Sequence, residues 1–155
     1  MSRLSNRANQ KVGRHRSSGS AAIEFGLAIP LLLTMLMGLV EVGYAMYEAM
    51  QVYNSVEAGM LYAAENGFDS AGISAAVVNA TGTQGITATP APVQFCGCPS
   101  ASGVAETACN STCTGNTVPG QYVRVSAALP HSTILPYPGL SLPTTLTAQS
   151  IVRLK

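Results

Sequence analysis

One uncharged run constrains this chain more than any other feature. From Phe25 to Val40 the sequence reads FGLAIPLLLTMLMGLV, 16 residues without a charge. As an α-helix that run is about 24 Å long, short of the roughly 30 Å hydrocarbon core of a bilayer. Starting the helix at Ser20 gives about 31 Å, which fits the core and draws Glu24 just inside its edge. A secretory signal shares the order of basic tail and apolar run. Here, however, no A-x-A-type site follows, and VEVGYAMYEAMQVYNSVEAGMLYAAENG continues the helical pattern. The expectation is a retained transmembrane helix over residues 20–43.

Charge sets the orientation. Five basic residues (Arg3, Arg7, Lys11, Arg14, Arg16) and no acid precede Gly19, whereas seven acids and three bases follow Ser20. Lys and Arg flanking a spanning helix favour the cytoplasmic side. Residues 1–19 therefore read as a basic cytoplasmic leader and residues 44–155 as an extracytoplasmic head. The net charge of +1 hides this asymmetry. No aromatic or groove-binding pattern accompanies the basic tail, so nucleic acid is not an expected partner. With 47% hydrophobic and 10% charged residues, the composition matches a chain that gives part of itself to lipid.

The head predicts an α+β fold. The helix runs on to Asn66-Gly67, a C-terminal stop, and Val52, Val56, Met60 and Ala63 form its apolar stripe. Glu48, Glu57 and Glu65 are expected on its wet side. Asp69 or Ser70 caps a shorter helix over residues 71–80. Three segments have strand character: residues 86–95, where Pro90 and Pro92 favour an edge or partial strand; residues 122–129; and residues 144–153. A small antiparallel sheet of about three strands laid on the stripe buries both faces. LPYPGLSLP joins the last two strands.

Cys96, Cys98, Cys109 and Cys113 lie in a loop over residues 96–113. The spacing lacks the C-x2-C knuckle usual for structural zinc, and the segment falls outside the cytoplasmic membrane, where disulfides persist. Two disulfides are expected, crossed or nested between the two clusters. No metal site and no cofactor are expected. Among candidate catalytic groups, His15 sits in the basic tail and His131 in LPHSTILP, neither in a triad or metal signature, so no catalytic residue is assigned and His131 reads as a loop residue.

The stretch GSAAIEFGLAIPLLLTMLMGLVEVGYAMYEAMQVYNSVEAGMLYAAENG resembles the TadE-like family of pseudopilins, or minor pilins, of the tight-adherence (Flp) pilus machinery. The matching positions are Gly19, Ala21, Ala22, Glu24, Phe25, Pro30, the leucine run, Glu41 and Gly43. The closing strands, ending in arginine, are similar more weakly. The resemblance implies cleavage after Gly19 by a prepilin peptidase, leaving Ser20 as the new N-terminus. It also implies a role for Glu24, with Phe25 beside it, in meeting the N-terminal amine of a neighbouring subunit. The implied partners are that peptidase, other pilin or pseudopilin subunits, the Tad inner-membrane assembly platform and the lipid bilayer. The implied place is a bacterial inner membrane, with the head able to enter a surface pilus and serve adhesion. Pro30 reads as a kink or as a neutral proline, Gly38 and Gly43 as tolerated, and Glu41, Tyr44 and Tyr47 as marking the outer interface. The rival reading is an uncleaved, membrane-anchored envelope protein that binds a partner through its head. A secreted hydrolase lacks a catalytic set.

Overall fold

The computed structural model describes residues 17–134 and 142–154. The leader residues 1–16 and most of LPYPGLSLP lie outside the described residues. The elements in chain order are α1 (Ser17–Asn66), α2 (Ser70–Asn79), β1 (Val93–Ser100), β2 (Gly103–Thr107), β3 (Gly120–Pro130) and β4 (Thr145–Arg153). The chain divides into two units, Met1–Val40 and Glu41–Lys155.

The described part of the first unit is helix throughout. Pro30 lies inside α1. Ile23, Phe25, Leu27 and Leu31 to Leu33 are all exposed, the state expected of side chains that belong in lipid rather than in a protein core. Gly19–Asn66 is long and apolar enough to cross a membrane, and an N-terminal helix of this kind is compatible with a single-pass anchor.

The second unit is the α+β head. Here α1 ends where its last periodic residue meets Asn66. Gly67 then takes a left-handed φ of 79° and donates its N–H to the Ala63 carbonyl at 3.0 Å, a glycine stop with an orphan carbonyl satisfied. Asp69 caps α2, accepting from the Ala71 N–H at 3.1 Å.

Four strands form one antiparallel sheet in the order β2-β1-β3-β4. This corrects the expected count of about three. GVAET pairs with β1 from Cys96–Thr107 to Ser100–Gly103, so Cys96 and Cys98 stand in a strand and not in a loop. Its short length and lack of alternating apolar residues hid β2 in the sequence. The prolines act as foreseen, because β1 begins only past Pro92; residue 87 instead makes an isolated bridge with Ala128. Yet β1 is an interior strand. Its outer neighbour is the hairpin partner that the sequence left unread.

The core sits between the helices and one face of the sheet. Val52, Val56 and Ala63 of α1 and Ile73 and Val77 of α2 meet Val123, Val125, Ala127 and Leu129 of β3 and Ala148 of β4. The alternation read in residues 122–129 and 144–153 thus becomes the inner face of the sheet. Gly59 lets the layers approach. A Cβ there would lie 2.6 Å from Val77 Cγ2 and 2.9 Å from Val125 Cγ1, inside van der Waals contact with two stiff side chains. Gly59→Ala is therefore expected to cost about 1–3 kcal/mol of head stability, read as a lower urea midpoint with an unchanged slope. A midpoint at or above wild type would mean that the layers part without strain.

Candidate processing, assembly and clamp sites

The residues expected to be processed lie in the first turns of α1. Helix begins at Ser17, three residues before the expected Ser20, so Gly19 and Ser20 are both helical. Nothing lies within 4 Å of a Cβ placed on Gly19, and Ser20, Glu24 and Phe25 are exposed. Glu24 meets no hydrogen-bond or ionic partner among the described residues. A carboxylate at this depth would be costly in hydrocarbon unless neutralised, paired or drawn to the interface.

The four cysteines form two bridges. Cys96 pairs with Cys109 and Cys98 with Cys113, at Cα separations of 5.1 and 5.6 Å. The links cross, one of the two arrangements left open by the sequence. Both tie β1 to the segment after β2, where Cys113 also forms an isolated bridge with Thr117. Among the described residues, no group of three or more His, Cys, Asp or Glu could hold a metal ion.

A third cluster is absent from the sequence reading. Glu41 and Glu48 are buried, with only 3% and 8% of their surface exposed. Glu48 was expected on the wet side of the helix and Glu41 as a marker of the outer interface. Instead both face the chain leaving β3. Glu41 accepts the Ile134 N–H through both carboxylate oxygens, at 3.0 and 3.2 Å. Glu48 Oε2 lies 2.5 Å from His131 Nδ1, and the His131 side chain is only 1% exposed. His131 does lie outside any strand or helix, just past β3, but it is buried against α1, which the sequence reading did not foresee. A carboxylate oxygen accepts, so Nδ1–H is the donor that suits this contact, and Nε2 is buried without a partner among the described residues.

Tyr44 sits between the two acids in sequence, its ring 6.3 Å from the His131 imidazole. Hydrogen bonding to Glu48, aided by the carboxylate's charge, raises the Tyr44 hydroxyl above the ordinary tyrosine value. A signal for the clamp was present. Counting back from Val52 by four, three and four gives Glu48, Ala45 and Glu41, so both acids lie in phase with the buried stripe. In-phase acids on an apolar stripe imply partners, because an unpaired buried carboxylate is too costly to keep.

Residues 19–61 match the family described as TadE-like protein. The match starts at Gly19, covers the apolar run and both clamp acids, and agrees with the resemblance read from the sequence. No curated protein and no solved structure matches.

Proposed function

We propose that this chain, whose residues 19–61 match the TadE-like family, is a minor pilin or pseudopilin of a Tad-type pilus. In this reading it is cut after Gly19 by a prepilin peptidase, anchored in the inner membrane with its head outside, and active through assembly rather than catalysis. The observation that carries the reading is the coincidence of the family match with an exposed apolar helix whose Glu24 is exposed and has no partner among the described residues. The basic leader supports the orientation by the positive-inside rule.

The mechanism follows from the charges. Cleavage would free an amine at Ser20, four residues before Glu24. Within one helix, these groups are a turn apart. Between laterally packed helices, the amine of one subunit and the carboxylate of the next can neutralise each other, relieving the cost of a charge at the membrane edge. The exposed leucine-rich face supplies close packing with neighbouring apolar helices or with lipid. The head would then prime or cap a pilus, or dock on its secretion apparatus.

Intact mass and N-terminal sequencing from cells expressing the matching peptidase test this. A product beginning at Ser20 is expected. An intact Met1, or a cut beyond Val40, would overturn the reading and favour the uncleaved envelope anchor or a secreted product. Gly19→Trp is expected to block processing, because the small residue at the cut leaves room for the protease. Glu24→Ala is expected to be processed normally but to enter pili poorly. Equal pilus yield from the Glu24→Ala strain would remove assembly as the role of that carboxylate.

A further inference from the structure

Burying Glu41 and Glu48 changes what this end of the head presents. They are the only charged residues between Phe25 and Val56, and no acid, lysine or arginine occurs from Val125 to Val152. With both carboxylates turned inward, the exposed side chains of α1 from Val42 to Val56 are uncharged, Tyr44 and Tyr47 among them.

The clamp also fixes where the chain goes after β3. Glu41 and Glu48 lie seven residues apart on α1, and their partners Ile134 and His131 only three apart. Seven helical residues rise about 10 Å, and three extended residues cover about 10 Å. Residues 131–134 therefore run antiparallel to α1, from the level of Glu48 to the level of Glu41. Glu41 holds Ile134 by its backbone N–H, whereas the residue itself stays 60% exposed and takes no part in the core.

Glu41 is the residue next to Val40, where the uncharged run ends. A helix from Ser20 to Val40 matches the hydrocarbon core, and the headgroup layer outside that core is about 5–7 Å thick on each side. Glu41 falls at the start of this layer, and its carboxylate brings Ile134 there too. Only the peptide bond from Val40 to Glu41 and contacts within the head enter this placement, so it holds at any angle the spanning segment makes with the head.

We propose that Ile134, Tyr44 and Tyr47 form a foot that sets the head on the headgroup–acyl boundary of the bilayer. The foot rests on the reading of α1 as a membrane anchor. Lipid is the fitting partner because the foot begins one residue past a run suited to lipid. Tyrosine rings, with an apolar body and a polar tip, favour the same boundary. The lipid is neutral, because the clamp hides both carboxylates and these stretches contain no lysine or arginine to hold an anionic headgroup.

The chain has no tryptophan, so single replacements at exposed positions report one site each. Leu33→Trp marks the apolar run, Ile134→Trp the foot, and Val118→Trp the end of β3 far from the clamp. Each full-length variant is placed, one chain per disc, in nanodiscs of phosphatidylcholine brominated near either the headgroup end or the methyl end of its acyl chains. Leu33→Trp emission should be quenched most by the deep bromines and Val118→Trp emission by neither. Ile134→Trp emission should be quenched by the shallow bromines at least about twofold more than by the deep ones. Iodide in the water should quench Val118→Trp at least about threefold more than Ile134→Trp. Adding Glu41→Ala to Ile134→Trp frees the segment and should remove about half or more of the shallow quenching; an unchanged value would show that the new ring seeks lipid by itself and would overturn the foot. Ile134→Trp emission open to iodide and untouched by bromine, with Leu33→Trp still quenched, overturns the foot and leaves the anchor standing. Absence of lipid quenching at Leu33→Trp as well overturns the anchor reading. Shielding of Ile134→Trp from both quenchers would mean that the chain itself covers the site, and shallow quenching that appears only when phosphatidylglycerol is mixed in would mean an anionic partner; either result overturns the proposal.

Discussion

Glu48→Ala is expected to destabilise the head by about 3 kcal/mol, the largest effect of any single truncation on α1. The reason is asymmetry in the clamp. His131 is almost wholly enclosed, one ring nitrogen has no partner among the described residues, and Glu48 satisfies the other. Removing the carboxylate leaves a buried imidazole with no hydrogen bond at all. Glu48→Gln keeps an acceptor for the Nδ1–H and should lose less. Replacing both partners by leucine should return stability to within about 1 kcal/mol of wild type, since apolar packing can replace a buried pair. Urea unfolding of the full chain, followed by near-ultraviolet dichroism, distinguishes these outcomes. If Glu48→Ala and His131→Ala prove additive, the two side chains are not coupled and the clamp does not exist.

The second large effect is covalent. With sequence separations of 13 and 15, each bridge is expected to contribute about 3 kcal/mol, mainly by restricting the unfolded chain. Replacing either cysteine pair by serine should lower the unfolding free energy by that amount. The double replacement should lose less than the sum, because the crossed links constrain overlapping loops. The loss should be local in the folded state: β2 and residues 108–119 lose amide protection, whereas β3 and β4, which hold the core, keep theirs. Equal loss of protection across all four strands would show that the bridges stabilise the whole sheet. Four free thiols in the protein purified without reductant would refute the bridges outright.

Much of this molecule was legible residue by residue. The apolar run, the stop at Asn66-Gly67, the cap at Asp69 and the alternation in β3 and β4 all depend on neighbours a few positions away, and local patterns record such neighbours. The prolines before Val93 fixed where β1 could begin. The missed features are of another kind. β2 has too few apolar residues to reveal a strand, and only its pairing with β1 makes it one. Its presence then turned β1 from a suspected edge into an interior strand.

The sequence alone determined that one segment suits lipid, that the cysteines favour bridges over zinc, and that the remainder is α+β. Hydrophobic period and chemical type decide those points without reference to distant residues. Only the tertiary structure decided which cysteines pair, that Glu41 and Glu48 turn inward, and that β1 lies inside the sheet. The clamp contacts join residues 93 and 83 positions apart. Whether a carboxylate on an apolar stripe is a fault or a fastener depends on what the chain brings back to it, and for Glu48 that is His131 at the end of β3.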